Sequence, residues 1–211
     1  MSDRAERVRA QLVGSHPFGQ LLVVTPIPAI FEALLLAGWR EYNGTSWWRR
    51  ATLGEVEVVL IPQGGGVADL GLCTEATTRI ELLGYAGSLS PTIQIGDIVQ
   101  PSATRLLGSR MQHPLTGGTR NTTIVTTTHL LAAYDAGAAE LAGADVVDME
   151  SAHLASSVSR AGGPVPTVRV LITDRVPDRP FYVPPSGAPS SLRRRRQDLV
   201  DEFVSEIREG L

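Results

Sequence analysis

Apolar residues along the chain fall into short β-branched runs separated by longer stretches with helical spacing. The run LLVVT at Leu21–Thr25 predicts a buried strand; Pro26 and Pro28 break it, and 29–37 carries a helical pattern closed by Gly38. Residues 47–52 and 56–61 predict a hairpin around Leu53-Gly54-Glu55. Gln63-Gly64-Gly65-Gly66 predicts a turn into a helix over roughly 67–78. Further strands are expected at 80–85, 97–100, 122–127, 145–148 and 167–172, and further helices at 4–13, 130–142, 151–160 and 192–211. The proline-rich stretch 176–190 reads as a loop. Strands alternating with helices predict a three-layer α/β/α sandwich with a central mixed, largely parallel sheet, built as a single domain over 1–211.

Composition narrows the function classes. Hydrophobic residues make up 43% and charged residues 19%, which suits a globular chain and excludes a disordered one. The net charge of −3 gives no electrostatic reason to expect a nucleic-acid partner. All 19 basic residues are Arg, which excludes a catalytic Lys and a Walker-type phosphate loop. One cysteine, Cys73, excludes an internal disulfide and a cysteine zinc cage, and the four His have no metal-ligand spacing. No metal site is therefore expected. No apolar run is long enough to span a bilayer and no secretory pattern is visible, so a cytoplasmic protein without a membrane partner is expected.

Two acidic motifs carry the candidate chemistry. VVDMESA at 146–152 and VLITD at 170–174 each place carboxylates at the end of an apolar run, where an open α/β sheet presents side chains to a ligand crevice. Glu150 can accept hydrogen bonds from vicinal hydroxyls, and Asp174 can hold or donate a proton. That pair of abilities is what cleavage of an N-glycosidic bond requires. Each also has a plain structural reading: Glu150 as a carboxylate at a helix N-terminus, Asp174 as a cap. The glycine run at 64–66 could cradle a small anion or form a simple tight turn. A dinucleotide fingerprint would want glycine at 69, where Asp69 stands. The arginine run 193–196 reads as a solvated helix start.

Three segments occur in an order and rough spacing that resemble the nucleoside phosphorylase/nucleosidase superfamily: GYAGSLSPTIQIGDIV at 84–99, VVDMESA at 146–152 and VRVLITD at 168–174. That superfamily includes purine nucleoside and uridine phosphorylases, methylthioadenosine/S-adenosylhomocysteine nucleosidase and futalosine hydrolase. The opening LLVVTPIP at 21–28 resembles the start of the futalosine hydrolase-like and hopanoid-associated phosphorylase-like branches, and the likeness covers roughly 20–175.

The resemblance implies a nucleoside phosphorylase-like sandwich and cleavage of a purine-type nucleoside by phosphorolysis or hydrolysis. It assigns Asp174 as proton donor to the base and Glu150 as holder of the ribose hydroxyls. Met149 would pack under the ribose, Ala86 and Gly87 would line the base site, and Gly64 would lie near the phosphate or water site. His129 falls near where the family contacts the base. No cofactor is implied beyond phosphate as co-substrate, and a homodimer or higher homo-oligomer is the expected assembly.

The chain also departs from the family. Ile30 stands where nucleosidases carry a water-activating Glu, and Glu32 lies on the far side of the same helix. Tyr85 replaces the usual Ser or Thr before Ala-Gly and would reshape the nucleophile pocket. Arg40, Arg49, Arg50 and Arg79 are candidates for phosphate, and no motif chooses among them. These departures lean toward phosphorolysis or a specialised ribosidase. They also motivate two alternatives: a nucleoside-binding protein that has lost turnover, and a ribosidase acting on a nucleoside 5′-monophosphate. Phe181 and Tyr182 are candidate lid residues.

Overall fold

The computed structural model describes residues 7, 10–12, 18–42, 48–70, 78–118, 121–129, 132, 141–176 and 190–210. The sheet begins with β1 (Leu21–Thr25), followed by helix α1 (Pro28–Leu36), whose Pro28 takes the first helical turn. Strands β2 (Arg40–Tyr42), β3 (Arg49–Leu53) and β4 (Val56–Leu60) form an antiparallel edge, and a 3₁₀ helix at Gly64–Asp69 follows. Next come β5 (Arg79–Ser88), β6 (Ile98–Val99), β7 (Ala103–Leu106), β8 (His113–Pro114), β9 (Thr123–Thr126) and β10 (Val146–Asp148). Helix α2 (Ser151–Ala161), strand β11 (Thr167–Arg175) and helix α3 (Ser190–Gly210) complete the described chain.

The sheet runs β2-β3-β4-β1-β5-β10-β9-β7-β8, with β11 paired to β5 and β6. Pairing is parallel from β4 through β1 and β5 to β11, and again from β10 through β9 to β7. The β5–β10 junction between these blocks is antiparallel, so the sheet is mixed. Strand β5 is ten residues long and is the organising strand. One edge takes β1 at its start and β10 at its end, while the other takes β11 along Glu81–Ser88.

Alternation along the strands builds the two outer layers. Leu22, Val24, Leu82 and Val170 face one side and join Leu154 and Val158 of α2 in one apolar cluster. Val23, Leu83 and Leu171 face the other side and join Ile30, Phe31 and Leu34 of α1 with Leu199 and Phe203 of α3. The period of two in the strands meets the period of 3.6 in the helices, which produces three layers. Gly162 closes α2 in the left-handed conformation, at φ 75°.

The expected elements are present with changes at their edges. Strand β5 runs three residues past the predicted 80–85 and β11 three past 167–172, because the two pair with each other over that whole length. The expected strand 97–100 is reduced to two residues. Strands β2, β7 and β8 are additions to the predicted set. The glycine run enters the 3₁₀ helix, and most of the expected 67–78 helix lies outside the described residues. So do most of 4–13 and 130–142, and the 176–190 loop with Phe181 and Tyr182.

The phosphate candidates are distributed by this architecture. Arg50 is buried in a pair with Glu57, beneath the rings of Phe18 (4.9 Å) and Tyr42 (5.2 Å). Tyr42 donates its hydroxyl to the same carboxylate. Arg49 is bound to Glu41 and Glu32 at 2.6–2.8 Å, so Glu32 is an exposed surface partner. Arg79 opens β5 at the end of the sheet opposite its Tyr85–Gly87 segment, and Arg40 is exposed on β2. Replacing Glu57 with Ala strands the Arg50 cation in the core and is expected to cost about 3–5 kcal/mol. Urea unfolding would show the lowered midpoint at unchanged slope.

Candidate active site

The strand ends described above surround a cavity of about 180 Å³. Six sequence-predicted residues line it: Tyr85, Ala86 and Gly87 from β5, Met149 and Glu150 from the turn between β10 and α2, and Asp174 from β11. Glu150 and Asp174 thus face one space from strands on opposite edges of β5.

A bulge in β11 aims Asp174. Ile172 pairs with Ala86, but the next pair is Asp174 with Gly87, so Thr173 is an extra residue in the ladder. Such a bulge re-aims the side chains beyond it. Asp174 Oδ1 accepts a hydrogen bond from the Thr173 hydroxyl at 2.9 Å, while Oδ2 is buried and has no hydrogen-bond partner among the described residues. Burial pushes the Asp174 carboxyl above its ordinary range, against the opposing Thr173 hydrogen bond. Among the described residues this carboxyl thus leaves one oxygen without a partner, facing the cavity.

Gly87 makes this arrangement possible. A Cβ there would lie 3.0 Å from Val176 Cγ2, 3.1 Å from Asp174 Oδ2 and 3.3 Å from Val147 Cγ1. Gly87→Ala is expected to displace the Asp174 carboxyl and weaken ligand binding roughly tenfold or more, on the scale of a displaced catalytic contact. A matched comparison of ligand titration and thermal melting would separate that loss from a loss of folding.

Glu150 is held from two sides. The Gly64 amide donates to Oε1 at 2.7 Å and the Met149 amide to Oε2 at 3.3 Å. Gly64 adopts φ +74°, a conformation that favours glycine, and its N–H is committed to Glu150 rather than left open to an anion. Burial and then the neighbouring Asp148 charge push the Glu150 carboxyl up, while the two backbone donors hold it down.

Tyr85 lines the cavity with its ring packed toward the α1/α3 layer. Burial pushes its phenol up, and a hydrogen bond with Arg196 opposes this. One member of the arginine run is therefore a packing partner of the site's wall. Ile30 is fully buried in the α1/α3 layer and faces the core. His129 is exposed in the bend beyond β9 and stands outside the cavity wall among the described residues. Thr127, two residues earlier, occupies the wall instead.

Sequence reasoning passed over Ile27, Gln63, Thr127, Asp148 and Thr173, all of which line the cavity. Their signal was proximity: each adjoins a motif or strand end that was already singled out. Asp148 sits inside the VVDMESA motif, where the sequence pattern marks it only as the end of a strand. Among the described residues no group of three or more His, Cys, Asp or Glu is arranged to hold a metal ion. No described helix is long and apolar enough to cross a membrane.

The fold is the nucleoside phosphorylase-like α/β sandwich. No family model matches the chain, and no curated protein matches it in sequence. Solved structures do match. The chain is similar to the 5′-methylthioadenosine/S-adenosylhomocysteine nucleosidase of Campylobacter jejuni at 15% identity, TM-score 0.68, over 92% of this chain and 100% of that one. It is similar to AMP nucleosidase of Bacteroides thetaiotaomicron at 17% identity, TM-score 0.69, over 99% and 97%. It is similar to futalosine hydrolase of Helicobacter pylori at 15% identity, TM-score 0.65, over 92% and 100%.

Proposed function

We propose that the protein cleaves the N-glycosidic bond of a purine-type nucleoside. The observation that carries this reading is the convergence of Glu150 and Asp174 on one cavity, with Met149 also in its wall and Gly87 paired with Asp174. Bond cleavage puts positive charge on the sugar and negative charge on the departing base. Asp174 protonates or hydrogen-bonds the base through its unpartnered oxygen. Glu150 holds the ribose hydroxyls and, once ionised, faces the cationic sugar with charge placed in advance. Met149 packs under the ribose, and Ala86 and Gly87 admit the flat base against the β5 backbone. The names of the structures that share the fold support this reading: each is a nucleosidase or a futalosine hydrolase.

Water or phosphate attacks the sugar carbon. Ile30, turned into the core, offers no base to activate water, and the described arginines considered for phosphate lie elsewhere. The nucleophile is therefore assigned by experiment. Purified protein is incubated with adenosine, methylthioadenosine and adenosine monophosphate, with and without phosphate, and base release is followed by chromatography. Release independent of phosphate means hydrolysis, and release requiring it means phosphorolysis. A preference for the monophosphate assigns a nucleotide ribosidase. Tight nucleoside binding without product over hours would replace the enzyme reading with that of a binding protein. In this reading the protein works in the cytoplasm, without cofactor, as a homodimer or larger homo-oligomer.

A further inference from the structure

We propose that Asp148 is a positioning residue for the proposed reaction: through its hydrogen bonds to Thr126 and Ser151 it fixes the Met149–Glu150 turn under the cavity, and it sets a fixed negative charge next to Glu150. The inference rests on the reading of Glu150 as the ribose-binding carboxylate. Asp148 is the last residue of β10, and only 6% of it is exposed. Its Oδ1 accepts a hydrogen bond from the Thr126 hydroxyl at 2.6 Å, and its Oδ2 accepts the Ser151 amide at 2.8 Å together with the Ser151 hydroxyl. Thr126 Oγ1 in turn accepts the Ala152 amide at 2.8 Å. The Asp148 carbonyl accepts from the Thr127 amide at 2.8 Å and hydroxyl at 3.2 Å. One carboxylate thereby ties the start of α2 to β9 and spans the two residues between, which are Met149 and Glu150.

The direction of these bonds decides where a proton sits. Backbone amides only donate, so the oxygen facing Ser151 is a committed acceptor, and an ionised carboxylate accepts on both oxygens. The N-terminus of α2 adds favourable partial charge. Burial pushes Asp148 up as it does Glu150, but Asp148 has hydroxyl as well as amide donors against it, whereas Glu150 has two backbone amides and a negative neighbour. Among the described residues the other titratable groups facing this space are Asp174 across the cavity and Tyr85 on its wall. The ionised Asp148 therefore raises the pH at which Glu150 loses its proton. That proton goes to solvent before the ribose is bound, and hydrogen bonds donated by the ribose hydroxyls then hold the ionised form.

The test is carbon-13 NMR of the side-chain carboxyls across pH in the intact protein, with Glu150→Gln and Asp148→Asn spectra assigning the two signals. In the unsubstituted protein Glu150 is expected to titrate at the higher pH of the two. Asp148 titrating higher overturns the proposal, and this arm needs no variant to be active. Asp148→Asn removes the charge at nearly constant shape. It is expected to move the Glu150 midpoint down by about 1 pH unit, the scale of one like charge removed nearby. The rising limb of kcat/KM should move with it. A lowered Tm with an unmoved Glu150 midpoint reduces Asp148 to a helix cap and also overturns the proposal. If no nucleoside is cleaved but the midpoint moves, the proposed reaction fails while the charge coupling stands.

Discussion

Asp174→Asn is expected to lower kcat/KM by about 10²–10⁴-fold, the contribution of a positioned general acid. The amide is close in size to the carboxylic acid and can still donate a hydrogen bond, but it cannot deliver a proton to the departing base. Folding should be preserved, because Asp174 Oδ2 has no hydrogen-bond partner among the described residues. Steady-state kinetics with the best substrate from the nucleoside panel, run beside a thermal melt, makes the comparison. Full activity in the variant would remove Asp174 from the chemistry. The pH profile adds a sign: a required protonated acid makes activity fall as pH rises through its pKa. Burial displaces that limb upward from the ordinary carboxylate range.

Glu150→Gln is expected to reduce kcat by about 10²–10³-fold, the scale of one preorganised electrostatic contact in a water-poor site. The glutamine can keep the Gly64 hydrogen bond, so the turn is retained, but it presents no charge to the cationic sugar. In the unsubstituted protein kcat/KM should rise with pH as Glu150 loses its proton and fall as Asp174 loses its own. Burial moves both proton losses above the ordinary carboxylate range. In Glu150→Gln the rising limb should disappear and the falling limb remain. A variant that raises KM with kcat unchanged would show that Glu150 only binds the ribose.

The two acidic motifs were legible because each sits within a few residues of a strand end, and strand ends follow from apolar runs. What the sequence could not display was the register. The extra Thr173 in β11 appears only when that strand is laid against β5, and it is this slip that turns Asp174 toward Gly87. The short strands β2, β7 and β8 lack a long apolar run and form by pairing with stronger neighbours. Asp148 was hidden in plain view, since a carboxylate ending a strand reads alike whether it caps the next helix or faces solvent. Ile30 lies in the α1/α3 layer, where the helix turns that position into the core.

Val147 and Asp174 share one register partner, Gly87, on opposite edges of β5. The two halves of the site are therefore spaced by the sheet itself, across two interstrand steps of roughly 4.8 Å each. That gauge fixes Val147 and Asp174, while Glu150, in the turn beyond β10, is set by the Gly64 and Met149 amides. A shift of the Gly64 segment would therefore move one acid and leave the other where the sheet holds it.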